Sequence, residues 1–160
     1  MSANLKFANG PLVVSGGYQS EGITAFAGSG AKPALENTLV SVSYNLGVAK
    51  IGAGFNRAKY KDISTTSAIA AQKEYNLSVA VPLGATTISA GIAQGKGDTL
   101  GRSTGYGLQA LYSMSKRTTL YTGVQSTKQY EGVAAAVRTL TPAASVGRVQ
   151  TFGVGVRHTF

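Results

Sequence analysis

The feature that most constrains this chain is a strict alternation of residue types, which is clearest at its C-terminus. Phe152, Val154, Val156, His158 and Phe160 occupy every second position, and small, polar or charged residues lie between them. Successive side chains of a β-strand point to opposite faces of its sheet. The alternation therefore predicts a terminal strand with one apolar face and one polar face.

The same alternation recurs along the chain and predicts a single all-β domain spanning residues 1–160. The predicted strands are 2–8, 12–21, 37–46, 49–58, 73–82, 86–95, 105–114, 118–127 and 149–160. Short turns around Gly10, Gly47, Gly84 and Lys116 are expected to alternate with long polar loops. The predicted long loops are 22–36, 59–72, 96–104 and 128–148. Strands of about ten residues with this loop asymmetry are typical of an antiparallel transmembrane β-barrel.

The two predicted faces differ in a way that favours a membrane protein. One face carries large apolar residues, and the other is rich in Gly, Ser, Thr, Asn and Gln but poor in charge. The apolar face also carries tyrosines near the strand ends, namely Tyr18, Tyr44, Tyr75, Tyr106 and Tyr112. Aromatic residues that border an apolar band are typical of the two membrane interfaces. A soluble, ligand-binding antiparallel barrel has the same alternation and is the alternative.

Composition argues against several other classes. The chain has 160 residues, no cysteine and one histidine, so neither a thiolate site nor a histidine metal cluster is predicted, and no cofactor is implied. The formal net charge is +9, but the basic residues are dispersed and no nucleic-acid-binding motif accompanies them. His158 has no nucleophile motif near it, so no catalytic residue is predicted. The N-terminus lacks the apolar core of a signal peptide, which is expected of a mature form or a fragment.

The terminal sequence RVQTFGVGVRHTF resembles the last strand of Gram-negative general porins of the β-proteobacterial type. The segments GPLVVSGGYQ and YGLQALYSMSKRTTLYTGVQ resemble the same family, and the likeness extends over residues 4–160. It corresponds to the C-terminal half of such a porin. The resemblance implies an outer-membrane, non-enzymatic channel for passive diffusion of small hydrophilic solutes and ions. It also implies a homotrimer in contact with outer-membrane lipid and lipopolysaccharide.

The resemblance leaves the closure of the barrel open. Porins of this family have about sixteen strands, so the chain is expected to form half of such a wall. Strands two to nine could instead close as a small eight-stranded barrel, whose interior side chains would fill. That second arrangement would give a plugged barrel with a structural or anchoring role.

In the porin family, the segment that corresponds to Phe152, Val154, Val156, His158 and Phe160 resembles the signal that is recognised by the barrel-assembly machinery. A terminal strand with a free edge can add to an exposed sheet edge through main-chain hydrogen bonds. The alternative interpretation is a lipid-facing strand with no recognition role.

Counting alternate positions along each predicted strand places three basic residues on the polar face, where they are predicted to line the pore: Lys6, Lys50 and Arg157. Basic residues at the strand ends, Arg102, Arg117 and Arg148, are expected near the mouths. Uncompensated cations in a pore raise the local concentration of anions, so anion preference is predicted. Acidic residues elsewhere in a complete barrel could balance them. A separate basic group, Arg57, Lys59 and Lys61, could meet lipopolysaccharide phosphates or form a solvated loop.

Overall fold

The computed structural model describes residues 1–22, 34–61, 71–98, 101–130 and 147–160. These residues contain nine strands and no helix. The strands are β1 (Ser2–Asn9), β2 (Leu12–Gly22), β3 (Ala34–Asn45), β4 (Lys50–Lys61), β5 (Ala71–Leu83), β6 (Thr86–Gly97), β7 (Gly101–Ser113), β8 (Thr118–Lys128) and β9 (Arg148–His158). In this part of the chain, no helix is long and apolar enough to cross a membrane.

The strands form one sheet whose spatial order is the same as the sequence order, β1 to β9. Every neighbouring pair is antiparallel. The predicted all-β, antiparallel fold with nine strands is therefore confirmed. A meander of this kind follows the general tendency of strands that are consecutive in sequence to be neighbours in a sheet.

The short turns are fixed by local chemistry. Gly10 and Gly84 begin two-residue turns between paired strand ends and have positive φ values of 53° and 63°. This conformation is the one that glycine supplies at the first central position of a hairpin turn. In the turn after β3, the Oδ1 atom of Asn45 accepts a hydrogen bond of 2.9 Å from the Gly47 backbone N–H. These turns set the register of the hairpins, and thereby the face to which each side chain points.

The third predicted long loop is wrong. The pattern predicts a loop over residues 96–104, but β6 continues to Gly97 and β7 begins at Gly101. Lys96 pairs with Arg102 in the ladder, so residues 98–100 alone connect the two strands. The sequence here contains almost no large apolar residue, so the backbone pairing continues where the alternation of side chains can no longer be recognised.

The sheet has no dry core between packed layers in the part of the chain that the structure describes. Ala71 is the one buried hydrophobic residue among those described, whereas Val79, Leu108 and Val154 are 38%, 53% and 74% exposed. A soluble barrel would bury these three side chains together, so the structure disfavours the soluble alternative. An apolar surface of this extent is normally covered by a partner or by lipid.

Both edges of the sheet are open among the described strands. β1 pairs only with β2, and β9 pairs only with β8. Closure of an eight-stranded barrel requires β2 to pair with β9, and β2 instead lies between β1 and β3. The structure therefore shows an open wall, and the small self-closed barrel is not formed.

Candidate pore wall and lipid-facing surface

Residues that point away from the apolar side chains make up the polar face of the sheet. Its central part, on β4 to β9, is dominated by glycines: Gly52, Gly54, Gly91, Gly105, Gly107, Gly123 and Gly153. Ser78, Gln109 and Gln125 lie among them and line shallow grooves. The glycines of this central part leave space for water, and its hydroxyl and amide groups can bind that water.

The glycines on β4 also allow polar side chains of β5 to lie flat along the sheet. A Cβ atom added at Gly54 would lie 2.7 Å from Nδ2 of Asn76, and one at Gly52 would lie 3.1 Å from Oγ of Ser78. The Ser78 hydroxyl donates a hydrogen bond of 3.4 Å to the Gly52 carbonyl oxygen. The absence of side chains on β4 thus presents amides and hydroxyls to the space in front of the sheet.

The three basic residues predicted to line the pore all lie on the polar face. Lys6 is opposite Ser15, Lys50 is opposite Asn45, and Arg157 is opposite Thr119. All three are exposed. They belong to β1, β4 and β9, so the fold distributes them along the wall and does not bring them together.

Sequence reasoning missed two carboxylates on the same face, Glu21 and Glu74. Glu21 accepts a hydrogen bond of 3.4 Å from Nε2 of Gln19, and Glu74 accepts one of 2.7 Å from Nε2 of Gln72. Both carboxylates lie near the long-loop ends of their strands, whereas Lys50 and Arg157 lie near the short turns. The alternation of side-chain direction along β2 and β5 was enough to assign both carboxylates to this face.

Tyr130, which follows β8, is a further feature of the polar face that the sequence did not indicate. A Cβ atom at Gly95 on β6 would meet the Tyr130 hydroxyl, so the side chain lies across the sheet above that glycine. Burial raises the pKa of the Tyr130 phenol, and the negative charge of Glu74 raises it further. The phenol and the carboxylate therefore lie near each other at the long-loop end.

The five tyrosines predicted for the apolar face are all found there, in two groups. Tyr18, Tyr75 and Tyr106 lie toward the long loops, and Tyr44 and Tyr112 lie toward the short turns. The Tyr75 ring packs on Phe55 with a centroid distance of 5.0 Å. An apolar band between two aromatic levels matches the interfaces of a bilayer.

Two basic residues expected near the mouths face the lipid side instead. Arg102 pairs with Lys96, and Arg148 pairs with Lys128, all on the apolar face. The Arg148 guanidinium lies 5.4 Å from the centre of the Tyr106 ring and donates a hydrogen bond of 2.9 Å to Oγ of Ser126. Their charges therefore belong to the outer surface. The net charge of +9 is a poor guide to the charge of the pore.

The residues of the predicted assembly signal share one side of β9. Phe152, Val154 and Val156 point to the apolar face and are 72%, 74% and 62% exposed. β9 ends at His158, short of the predicted end, and Phe160 lies beyond it with its ring 4.9 Å from that of His158. The His158 Nδ1 atom is 2.9 Å from Oγ1 of Thr118. Among the described residues, no group of three His, Cys, Asp or Glu could hold a metal ion.

The sequence profile of the Gram-negative porin family matches residues 1–132, which include β1 to β8. The chain belongs to the Gram-negative porin family. Members of this family reside in the outer membrane, which confirms the predicted location of this porin chain.

Solved structures show the same fold at low sequence identity. A porin refined at 1.8 Å is 19% identical with a TM-score of 0.65, and the match covers 99% of this chain and 50% of that one. The outer-membrane expressed OmpT of Vibrio cholerae is 14% identical with a TM-score of 0.69, covering 97% and 54%. In-vitro folded OmpT of the same organism, in a trimer form, is 15% identical with a TM-score of 0.66. The porin chain thus spans about half the length of these proteins. No curated protein sequence matches it.

Proposed function

We propose that this porin chain forms about half of the wall of a passive channel for small hydrophilic solutes and ions. The observation that carries the proposal is the contrast between the two faces of one open sheet. The apolar face exposes large side chains, and the face behind it is rich in glycines, amides and hydroxyls in its central part. Such a wall separates hydrocarbon from water, and it does so only when its edges are closed.

The direction of the strands supports closure by a set of strands different from this one. With nine alternating strands, β1 and β9 run in the same direction. A fully antiparallel ring then needs an odd number of additional strands between them. A second copy in the same orientation would place β9 beside a parallel β1, so we expect the remaining strands to have another sequence. Homotrimers of the completed barrel are proposed by analogy with the trimer form of OmpT.

Conductance in planar bilayers tests the channel directly. The assembled porin is expected to give large, stable steps of current at constant voltage, because a wall with this glycine-rich face leaves a water-filled path. A correctly folded and inserted protein that remains electrically silent would contradict the proposal.

We also propose a preference for anions, which originates near the short-turn end of the wall. On the polar face of the described strands, Lys6, Lys50 and Arg157 outnumber Glu21 and Glu74. Lys50 and Arg157 lie far from either carboxylate along the strands. A fixed cation in a narrow aqueous path attracts anions, and salt screens it over about 10 Å at 0.1 M.

Reversing the charge at Lys50 is expected to reduce the anion preference. At 4 Å in water, two unit charges interact by about 1 kcal/mol, which corresponds to about five-fold in ion concentration. Lys50→Glu changes the charge by two units, so it should lower the anion-to-cation permeability ratio by about five-fold or more. The ratio is measured from the reversal potential in a salt gradient at low ionic strength. Lys59→Glu is the matched control, because Lys59 lies on the same strand but on the apolar face. Equal shifts for both variants would contradict a selective role for Lys50.

A further inference from the structure

A groove in the polar face lies toward the long-loop end of β1 to β5, beside the glycine-rich centre of the wall. Its volume is about 460 Å³, which is within the range of about 300–1,000 Å³ that small-molecule sites occupy. One row of paired residues crosses it on five strands: Asn4, Gly17, Leu39, Asn56 and Glu74. We call this feature the amide groove.

Five carboxamide side chains line the amide groove, one from each of the strands β1 to β5. They are Asn4, Gln19, Asn37, Asn56 and Asn76. Each amide is uncharged and offers both hydrogen-bond donors and an acceptor. Hydroxyl groups also donate and accept, so a cluster of amides complements a solute with several hydroxyls better than it complements an ion.

Most of these amides have hydrogen-bonding capacity that the protein does not use. In the described part of the chain, the side chains of Asn4, Asn56 and Asn76 make no hydrogen bond, and the Oδ1 atom of Asn37 is buried without a donor. A buried acceptor without a partner is unfavourable. The Asn37 side chain is only partly buried, and rotation about its soft χ2 torsion brings the oxygen to the groove. A donor from a solute would then satisfy it.

The floor of the amide groove is apolar. Leu39 points to the polar face between Gly17 and Asn56, and its exposed fraction is 49%. Gly17 leaves the space beside it empty, because a Cβ atom there would lie 3.9 Å from its nearest neighbour, the Ala3 carbonyl oxygen. Amides around an exposed apolar side chain fit a solute that has a C–H face and hydroxyls at its edge. A sugar ring has this chemistry.

We propose that the amide groove is a binding subsite for neutral sugars on the wall of the pore. The sugar hydroxyls bond to the amides, and Leu39 contacts the C–H face of the ring. Glu74 accepts further hydroxyl hydrogen bonds with the lone pairs that Gln72 leaves free. The inference rests on the proposed function for access to the groove, and it adds a class of solute that the wall retains in passage.

Binding of sucrose to the assembled porin in detergent micelles tests the site without any need for ion flow. Titration is followed by saturation-transfer NMR. Asn37→Leu/Asn56→Leu removes two amides at similar side-chain size, and each lost hydrogen bond should weaken binding about five-fold, so the pair should weaken it about 25-fold. Gln109→Leu/Gln125→Leu is the matched control and should bind normally, because it removes two amides of the polar face outside the groove.

Stability separates a binding role of the amides from a structural one. Asn37→Leu removes the buried oxygen that has no partner, so the unfolding temperature of the sugar-free porin should not fall. A fall equal to that expected for the loss of a structural hydrogen bond would overturn the role of Asn37 in binding.

Filling the groove provides a second test that leaves the amides in place. Gly17→Val should abolish sucrose binding, because the new side chain occupies the space beside Leu39 without a clash at its Cβ atom. Gly16→Val is the matched control, because Gly16 has similar room but points to the lipid side. Equal loss of binding in both variants would contradict a site in the groove.

The alternative occupant is a cation held by Glu74. Tetramethylammonium, which has no hydrogen-bond donor, should not displace sucrose, and sucrose binding should be insensitive to salt because it does not depend on charge. Displacement by this cation, or no binding of sucrose to the parent porin, would overturn the proposal. Planar-bilayer conductance remains the separate test of the channel: current steps without sucrose binding would sink the site alone, and sucrose binding by a silent porin would sink the channel alone.

Discussion

Tyr130 and the residues beneath it show how single side chains determine the shape of the polar face. Gly95 leaves room for the phenol ring, and Glu74 on the neighbouring strand lies close enough to disfavour a second negative charge. The result is an aromatic group that lies over the wall at its long-loop end. Any larger residue at position 95 would have to move that ring.

Titration of Tyr130 tests this local arrangement. Burial is the main cause of its raised pKa and the Glu74 carboxylate is the second, so the phenol should ionise above the ordinary value of 10.0. The folded protein holds this proton more tightly than the unfolded chain. Its contribution to stability is therefore complete below the unfolded pKa and is lost as the pH rises through the folded pKa. Phenolate absorbance of the native protein, minus that of Tyr130→Phe, isolates the step.

The variant Glu74→Gln is the control for that assignment. It should lower the pKa of Tyr130 only part of the way to the ordinary value, because the larger effect of burial persists. A step at the ordinary value in the native protein would show that Tyr130 does not lie over the wall.

At the scale of one element, β9 combines exposed apolar side chains with an open edge. Its outer side chains are among the most exposed apolar ones in the sheet, and one of its edges has no partner in the described chain. Such an edge is available for strand addition, through which we propose that the barrel-assembly machinery recognises this strand.

Removal of the terminal aromatic residue is expected to impair membrane insertion without destroying the strand. Phe160 lies beyond β9 and contacts the His158 ring, so its deletion leaves the ladder with β8 intact. Insertion in cells, measured as the fraction of folded porin in the outer membrane, should fall several-fold, whereas folding of the purified chain into detergent should be unchanged. Phe160→Tyr is the control and should insert normally. Normal insertion after deletion would leave β9 as a lipid-facing strand only.

For the molecule as a whole, the decisive property is which face of the sheet meets hydrocarbon. The matched positions Leu108 and Gln109 are adjacent on β7 and point to opposite faces. Because β7 is flanked by paired strands on both sides, substitutions here report on the environment of the face and not on a frayed edge.

Leu108→Arg is expected to lower the free energy of unfolding by about 2–4 kcal/mol, the cost of a charge near the middle of the bilayer. Gln109→Arg should be close to neutral for stability, because its side chain meets water. Both values come from denaturant titration of the assembled porin in lipid vesicles. If Gln109→Arg were the more damaging substitution, the orientation of the sheet would be reversed.

The sequence alone determined the faces of the strands, because side-chain direction in a strand depends only on parity. Counting alternate positions assigns Lys6, Lys50 and Arg157 to the polar face and the five tyrosines named above to the apolar face, and the ladders agree. Alternation failed as a guide where neighbouring side chains differ little in character. Residues 96–97 and 101–104 belong to strands although the pattern predicted a loop there. Phe160 shows a similar limit: the alternation of residue types continues to it, but β9 ends at His158.

Only the tertiary structure decided which residues become neighbours across strands and whether the sheet closes. Arg57, Lys73, Lys96 and Arg102 are scattered in sequence, and their alignment depends on the register of three separate pairings. Register and closure result from hydrogen bonds between distant segments and from the length of each turn, so no local pattern contains them. The alternation of side chains, by contrast, is imposed within each strand by the geometry of its own backbone.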